Sequence, residues 1–255
     1  MSPPGTIEFE PSRLTLPDGA SIAYHAMRGK SPGVLFLSGF KSDMTGTKAS
    51  ALAAWCAVQG RAFLRFDYLG HGRSSGTFTD GTIGTWRDNA LAVLDRLTEG
   101  PQVLVGSSLG GWLMTLVALA RPDRVAALVG IAAAPDFTED LMWAAFDEKT
   151  LAQLVQTGRI DLPSDYEPES YPITLRLIEE ARRHLLLRGP IELRRPVRLL
   201  HGLADKEVPW QTSIKLASQI DGGDVVVLLI KDGEHRLSRP SDLERLCAVI
   251  AELAR

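Results

Sequence analysis

From Gly33 to Ala134 the chain alternates short apolar runs with longer helical patterns: "GVLFLSGF", "KASALAAWCAVQG", "RAFLRFDY", "TWRDNALAVLDRL", "PQVLVGSS", "LGGWLMTLVALA" and "RVAALVGIAAA". The short runs suit strands buried on both faces, and the segments between them have the length of crossover helices. Such alternation predicts an α/β fold with a mostly parallel, doubly wound sheet and helices on both faces. From about Pro135 to Leu193 it stops, and "EDLMWAAF", "TLAQLVQTG" and "ITLRLIEEARRHLLLRG" carry amphipathic helical stripes instead. Those stripes need a partner, so this block is read as a helical cap inserted above the sheet's carboxyl edge. The sheet pattern resumes with "PVRLLHGLAD", "PWQTSIKLASQI", "DVVVLLIK" and "PSDLERLCAVIAELAR", while "TIEFEP" and "SIAYHAMR" read as an antiparallel edge hairpin. The whole chain, 1–255, is expected to form a single domain with the cap at about 135–193, since α/β domains reach about 250 residues without splitting.

A formal net charge of -3 offers no field for nucleic acid or an anionic membrane surface. The clusters "EARRH" and "ELRRP" read as solvated faces. Cys56 and Cys247 lie among apolar residues of helical patterns and are expected to be buried core thiols, with no disulfide framework and no metal site. No run approaches the roughly 18 apolar residues of a membrane span. The start "MSPPGTIEFEP" has neither signal-peptide nor transit character, so the cytoplasm is the expected location. No sequence feature bears on oligomeric state.

Within "VLVGSSLGGW" a buried strand runs into two serines at the start of a helix. A sharp strand-to-helix turn lifts one serine oxygen clear when the residues two before and two after it lack side chains, the GxSxG elbow. Ser108 has Gly106 and Gly110 in those places, whereas Ser107 has Val105 and Leu109. Ser108 is therefore the candidate nucleophile.

A serine hydroxyl needs a histidine to take its proton and a carboxylate to orient that histidine. Of five histidines, His235 in "KDGEHRL" lies in a loop after the last expected strand. His25 falls in an edge-strand pattern, His184 in a cap helix and His201 on a strand, where packed and hydrogen-bonded roles are commoner; His71, in the glycine-rich "YLGHGRSSG", is the rival. Asp205 ends "VRLLHGLAD" at the carboxyl edge of a buried strand, where sites of open parallel sheets gather. Its rival Asp136 is expected at the surface or capping a helix. Backbone amides of Leu109, next after the serine, and of Phe40 in "FLSGFKSD" are the candidate oxyanion donors. "FDYLGHGRSSG" is read as structure: Asp67 ends a strand, Gly70 and Gly72 permit a tight turn, and no GxGxxG or Walker pattern points to a nucleotide. The cap is expected to form an apolar acyl pocket through Leu141, Met142, Trp143 and Phe146, with Trp112 and Trp210 near its floor.

The motifs "LSGFKSD", "FDYLGHGRSSG", "GSSLGG", "HGLAD" and "GEHRL" resemble the α/β-hydrolase superfamily. More narrowly, "SDMTGTKA", "LVGSSLGGWLM", "ARPDRVAALVGIAAA" and "PVRLLHGLADKEVPWQ" are similar to its palmitoyl-protein thioesterase and acyl-glucuronide esterase branch in animal mitochondria. The resemblance runs from about Gly33 to the last helix. It implies a serine esterase or thioesterase acting through Ser108, Asp205 and His235, with no cofactor. The implied substrate is a small-molecule ester or an acyl thioester, including an acylated protein whose palmitoyl group is removed. The other reading is a ligand-binding or signalling protein on the same scaffold with slow or vestigial catalysis.

Overall fold

The computed structural model describes residues 10–162 and 170–254. The strands of its main sheet are β1 (Ser12–Thr15), β2 (Ser21–Met27), β3 (Lys30–Leu37), β4 (Arg61–Phe66), β5 (Gln102–Ser107), β6 (Val125–Ile131), β9 (Val197–Gly202) and β10 (Val225–Ile230). Their order is β1-β2-β4-β3-β5-β6-β9-β10. The β1–β2 and β2–β4 pairs are antiparallel and all others are parallel. After β4 the chain returns to the far side of β3, so the order reverses between β3 and β5. The crevice beyond the carboxyl ends of such a pair is where open α/β sheets place their sites.

Pleating sorts each strand's side chains between two cores. On β3, Leu35 and Leu37 join Leu104 of β5 under α2 (Ile83–Leu97), α3 (Leu109–Ala120) and α6 (Gln211–Gln219). Val34 and Phe36 face the other way with Val103 and Val105, covered by α1 (Thr47–Gln59) and α7 (Pro240–Leu253). Every residue of β5 is buried. Burying one such aliphatic side chain contributes about 1.5 to 3 kcal/mol. Cys56 is buried on α1, but Cys247 on α7 is only half-buried, which corrects one of the two core thiols. Burial pushes both thiols up, Cys56 to about 12.

Two expectations shift at the margins. The edge hairpin exists, but its first strand is "SRLT"; of "TIEFEP" only Glu10 and Pro11 fall within the described residues. The segment between β6 and β9 is not wholly helical. It carries a π-helical turn (Thr138–Met142), a 3-10 turn (Trp143–Ala145), α4 (Glu148–Thr157), the antiparallel hairpin of β7 (Arg159–Leu162) and β8 (Tyr171–Thr174), then α5 (Leu175–Ala181). Ile160 lies between Arg159 and Asp161, an alternation that favours a strand, and it is buried with Ile173 of the partner strand, Leu154 and Ile178 in a small separate core. Among the described residues no helix is long and apolar enough to cross a membrane.

Candidate active site

Ser108 follows β5 directly with φ 53° and ψ -115°, a conformation few residues other than glycine adopt and one that costs about 1 to 3 kcal/mol. The surroundings over-determine it. Ser108 N donates to Ile131 O at 2.9 Å, and Ser108 O accepts from Gly111 N at 2.9 Å and Ala134 N at 3.1 Å. The glycine flanks are steric necessities: a Cβ on Gly106 would overlap the Gly110 carbonyl, and one on Gly110 would overlap the Leu37 carbonyl. Lys41, Ala132, Asp136 and Leu237 are the other described non-glycine residues with positive φ. Lys41, Ala132 and Asp136 follow β3 and β6, the neighbours of β5, and Leu237 is two residues beyond His235.

His235 and Asp205 arrive on loops after β10 and β9. Ala204 N donates to Gly233 O at 2.9 Å and Leu203 N to Ile230 O at 2.8 Å, which stitches the two loops together. His235 Nε2 lies 3.2 Å from Ser108 Oγ, and His235 Nδ1 lies 2.8 Å from Asp205 Oδ2. Asp205 Oδ1 accepts the amides of Glu207 and Val208, each at 2.9 Å. Burial of Asp205 favours its neutral form, but hydrogen bonds from His201, His235 and the Val208 amide outweigh that and hold the carboxyl well below the usual carboxylate range. Glu207 comes within 3.6 Å of His235 Nε2. On the far side Lys48 Nζ donates to Arg236 O at 2.5 Å, tying the histidine loop to α1; burial, with Arg236 beside it, lowers Lys48 to about 8.

The two oxyanion candidates flank the serine. Leu109 is the first residue of α3, whose leading amides have no partner inside the helix. The turn at Gly39–Phe40 runs alongside, since a Cβ on Gly39 would lie 3.5 Å from Ser107 O and 3.6 Å from Ser108 Cβ.

The rival residues stand elsewhere. His71 is buried among the rings of Tyr68, Phe78 and Trp86, and burial lowers it to about 4. Asp136 is neither at the surface nor a helix cap: fully buried, it accepts the amides of Leu186 at 2.7 Å and Leu187 at 2.8 Å. It thus ties the start of the inserted segment to its end. Asp67, also buried, accepts the amides of Met44 at 2.7 Å and Arg73 at 2.8 Å, and its carboxylate fills the space a side chain on Gly72 would need.

Above Ser108 opens a cavity of about 460 Å³, within the range of small-molecule sites. Phe40, Phe137, Met142, Phe146, Tyr171 and Val208 form its apolar walls, with Leu141 among them. The three tryptophans do not line it. Trp112 is wholly in the main core, where Phe137 packs edge-on against it at 5.8 Å and its Nε1 donates to His184 O at 3.0 Å. Trp143 turns to the Arg182 guanidinium, 4.7 Å from its ring, and Trp210 precedes α6 outside the cavity. Helical spacing alone could not tell which side of each turn faces inward. Phe137 and Tyr171 are not legible as cavity residues in the sequence, because one sits in an irregular turn and the other in a four-residue strand that starts before the helical pattern beginning at Ile173.

A family model for the alpha/beta hydrolase fold matches residues 34–173. The chain is 44% identical to "Palmitoyl-protein thioesterase ABHD10, mitochondrial" of Bos taurus, covering 95% of this chain and 79% of that protein. Alpha/beta hydrolase domain-containing protein 10 from mouse superposes with a TM-score of 0.89 at 43% identity, covering 96% of this chain and 98% of that one. The "Putative hydrolase from Agrobacterium vitis S4" gives a TM-score of 0.93 at 38% identity, over 96% and 99% of the two chains. The bovine relative is mitochondrial by name, which overturns the expectation of a cytoplasmic protein. The chain belongs to the α/β-hydrolase fold family and is an enzyme of that family's esterase and thioesterase kind.

Proposed function

We propose that the protein hydrolyses carboxylic esters or acyl thioesters through an acyl-enzyme on Ser108, with His235 as general base and Asp205 as its orienting acid. The observation that carries this reading is the hydrogen-bonded line from Ser108 Oγ through His235 to Asp205 at the foot of an apolar cavity. In the first half-reaction Ser108 Oγ attacks the acyl carbon while its proton passes to His235 Nε2. The amides of Leu109 and Phe40 receive the negative oxygen, a donor of this type being worth roughly 2.7 to 4 kcal/mol. His235 then protonates the departing sulfur or oxygen, and the acyl–heteroatom bond breaks. Water attacks the acyl-serine in the second half, giving a proton to His235, which returns it to Ser108 Oγ as the acyl–oxygen bond breaks and the acid leaves.

The substrate is a small-molecule ester or acyl thioester, or an acylated protein. The name of the bovine relative supports the thioester and the protein, and the apolar walls support a fatty acyl group. The test is a panel of p-nitrophenyl esters, acyl thioesters and acyl glucuronides at matched chain lengths, combined with fluorophosphonate labelling mapped by peptide mass. The expected result is turnover of esters or thioesters with the label on Ser108. No turnover across the panel favours a ligand-binding role, and a label confined to Ser107 removes the nucleophile assignment.

A further inference from the structure

His201, next to last in strand β9, has a fully buried side chain with three polar neighbours. Its Nδ1 is 2.7 Å from Ser213 Oγ, and its Nε2 is 3.1 Å from Asp205 Oδ2 and 3.0 Å from Val208 O. Both neighbours of Nε2 are acceptors, so the ring proton sits there. Nδ1 is then the acceptor, and the Ser213 hydroxyl donates to it. The same Asp205 oxygen takes the Nδ1–H of His235 at 2.8 Å. One carboxylate oxygen is thus shared by two imidazoles, of which His235 alone reaches Ser108.

We propose that His201, fixed in one tautomer by Ser213, is a positioning residue: its Nε2–H locks the Asp205 carboxylate in place and takes up part of the charge that Asp205 offers to His235. This rests on the roles given above to Ser108, His235 and Asp205. A ring that merely filled space would need no donor facing Asp205 and no hydroxyl holding its tautomer. Without His201 the Asp205 charge falls more fully on His235, its imidazolium is better stabilised, and the base stays protonated to higher pH. The other charged groups by His235 among the described residues are Glu207 at 3.6 Å and, around the cavity, Lys41, Lys48 and Arg236. All four are kept in the variants below, so they do not account for a change among them.

The experiment is the pH profile of thioester turnover, with kcat and KM separated, for the full chain and for His201→Phe, His201→Gln, Ser213→Ala and Asp205→Asn. His201→Phe is expected to lower kcat by roughly 10- to 100-fold with KM nearly unchanged, as loss of an outer partner of a site does. Its acidic limb should move to higher pH by about half a unit to one unit. His201→Gln, whose amide nitrogen can take the place of Nε2–H, should restore most of kcat and return the limb. Ser213→Ala should move the limb the same way by less. An acidic limb at the wild-type pH in His201→Phe, or equal shifts in the Phe and Gln variants, overturns the proposal. If the Phe variant fails to fold, the limbs of the Gln and Ala variants decide: an unshifted Ser213→Ala overturns it. Retained turnover in Asp205→Asn overturns the underlying reading, whereas an inactive Asp205→Asn beside an unshifted His201→Phe removes His201 alone.

Discussion

Ser108 stands where β5 enters α3, among side chains with no exposure at all, such as Val105 and Leu109. Met142 and Phe146, which line the same cavity, belong to a segment whose own core, among the described residues, has Leu154, Ile160, Ile173 and Ile178 as its buried members. The floor is fixed by steric necessity: two glycines admit no Cβ, three backbone bonds pin the turn, and stitched loops carry the histidine and acid. The roof is held by that small core, by Asp136, and by ion pairs of Arg188 with Asp140, Arg182 with Glu139 at 2.7 Å, and Lys215 with Asp140 at 3.6 Å. Exposed pairs of this kind are worth about 0 to 1 kcal/mol each. Changes in the floor should therefore act on rate in an all-or-none way, and changes in the roof should act on stability and selectivity by degrees.

The harshest test of that division is Ser108→Ala. Turnover should fall by roughly 10⁶, as in other serine triads, while the thermal midpoint stays close to that of the parent. Single-turnover assays with a chromogenic ester, alongside calorimetry, measure both. A variant retaining more than about a hundredth of the rate would show that the reacting atom lies elsewhere.

Next in size is a comparison of two buried aspartates, one from each region. Asp205→Asn should cost about 10⁴ in kcat, because the amide cannot hold His235 in the required tautomer. Asp136→Asn puts an NH₂ group against the Leu186 or Leu187 amide, so it should lower stability by about 1 to 3 kcal/mol and leave kcat within a few-fold. Chemical denaturation and ester kinetics on both proteins settle the matter. The opposite pattern would exchange their roles.

Acid should weaken the main core, through the buried His71 beside Tyr68, Phe78 and Trp86, before the roof. Burial lowers His71 from its ordinary 6.5 to about 4, so its stabilising share is complete above about pH 6.5 and is lost as pH falls toward 4, roughly 3 kcal/mol in all. Asp67 and Asp136, pushed up mainly by burial, act in the opposite sense and gain from acidification. Asp140, which the Arg188 hydrogen bond holds below its ordinary value, keeps its roof contact through this window. His71→Phe should therefore lose less of its thermal midpoint between neutral pH and about pH 4 than the parent does. Parallel curves for the two proteins would mean that His71 is not the acid-sensitive group.

The same contrast explains what could be read from the sequence. Sheet strands announce themselves as uninterrupted apolar runs, and the GxSxG spacing around Ser108 expresses a steric rule in residue identities, so both are legible without coordinates. The roof is not, because its elements are short and half-buried: "RIDL" and "YPIT" form a hairpin whose alternation lasts four residues each. Trp112, four residues after Ser108, lies near the site along the chain, yet Phe137, which packs edge-on against it, lines the cavity in its place. His201 reads as an ordinary strand histidine, since nothing in "VRLLHG" reveals that Ser213 and Asp205 converge on it.

The smallest expected effect tests the roof directly. Phe40, Met142, Phe146 and Tyr171 line the same cavity as Ser108. Each methylene moved from water into such surroundings contributes about 0.8 kcal/mol, close to fourfold in kcat/KM. In a homologous series of acyl thioesters kcat/KM should climb severalfold per methylene and then level off when the cavity is filled. Phe146→Ala should move that plateau to longer chains, since it enlarges the cavity at a half-buried position of the roof. It should leave the rate on an acetyl ester, which adds no methylene to the acyl chain, nearly unchanged. A flat series from acetyl upward would show that these walls do not receive the acyl chain. A loss on all chain lengths alike in Phe146→Ala would show that the roof shapes the floor and that the two regions are not separable.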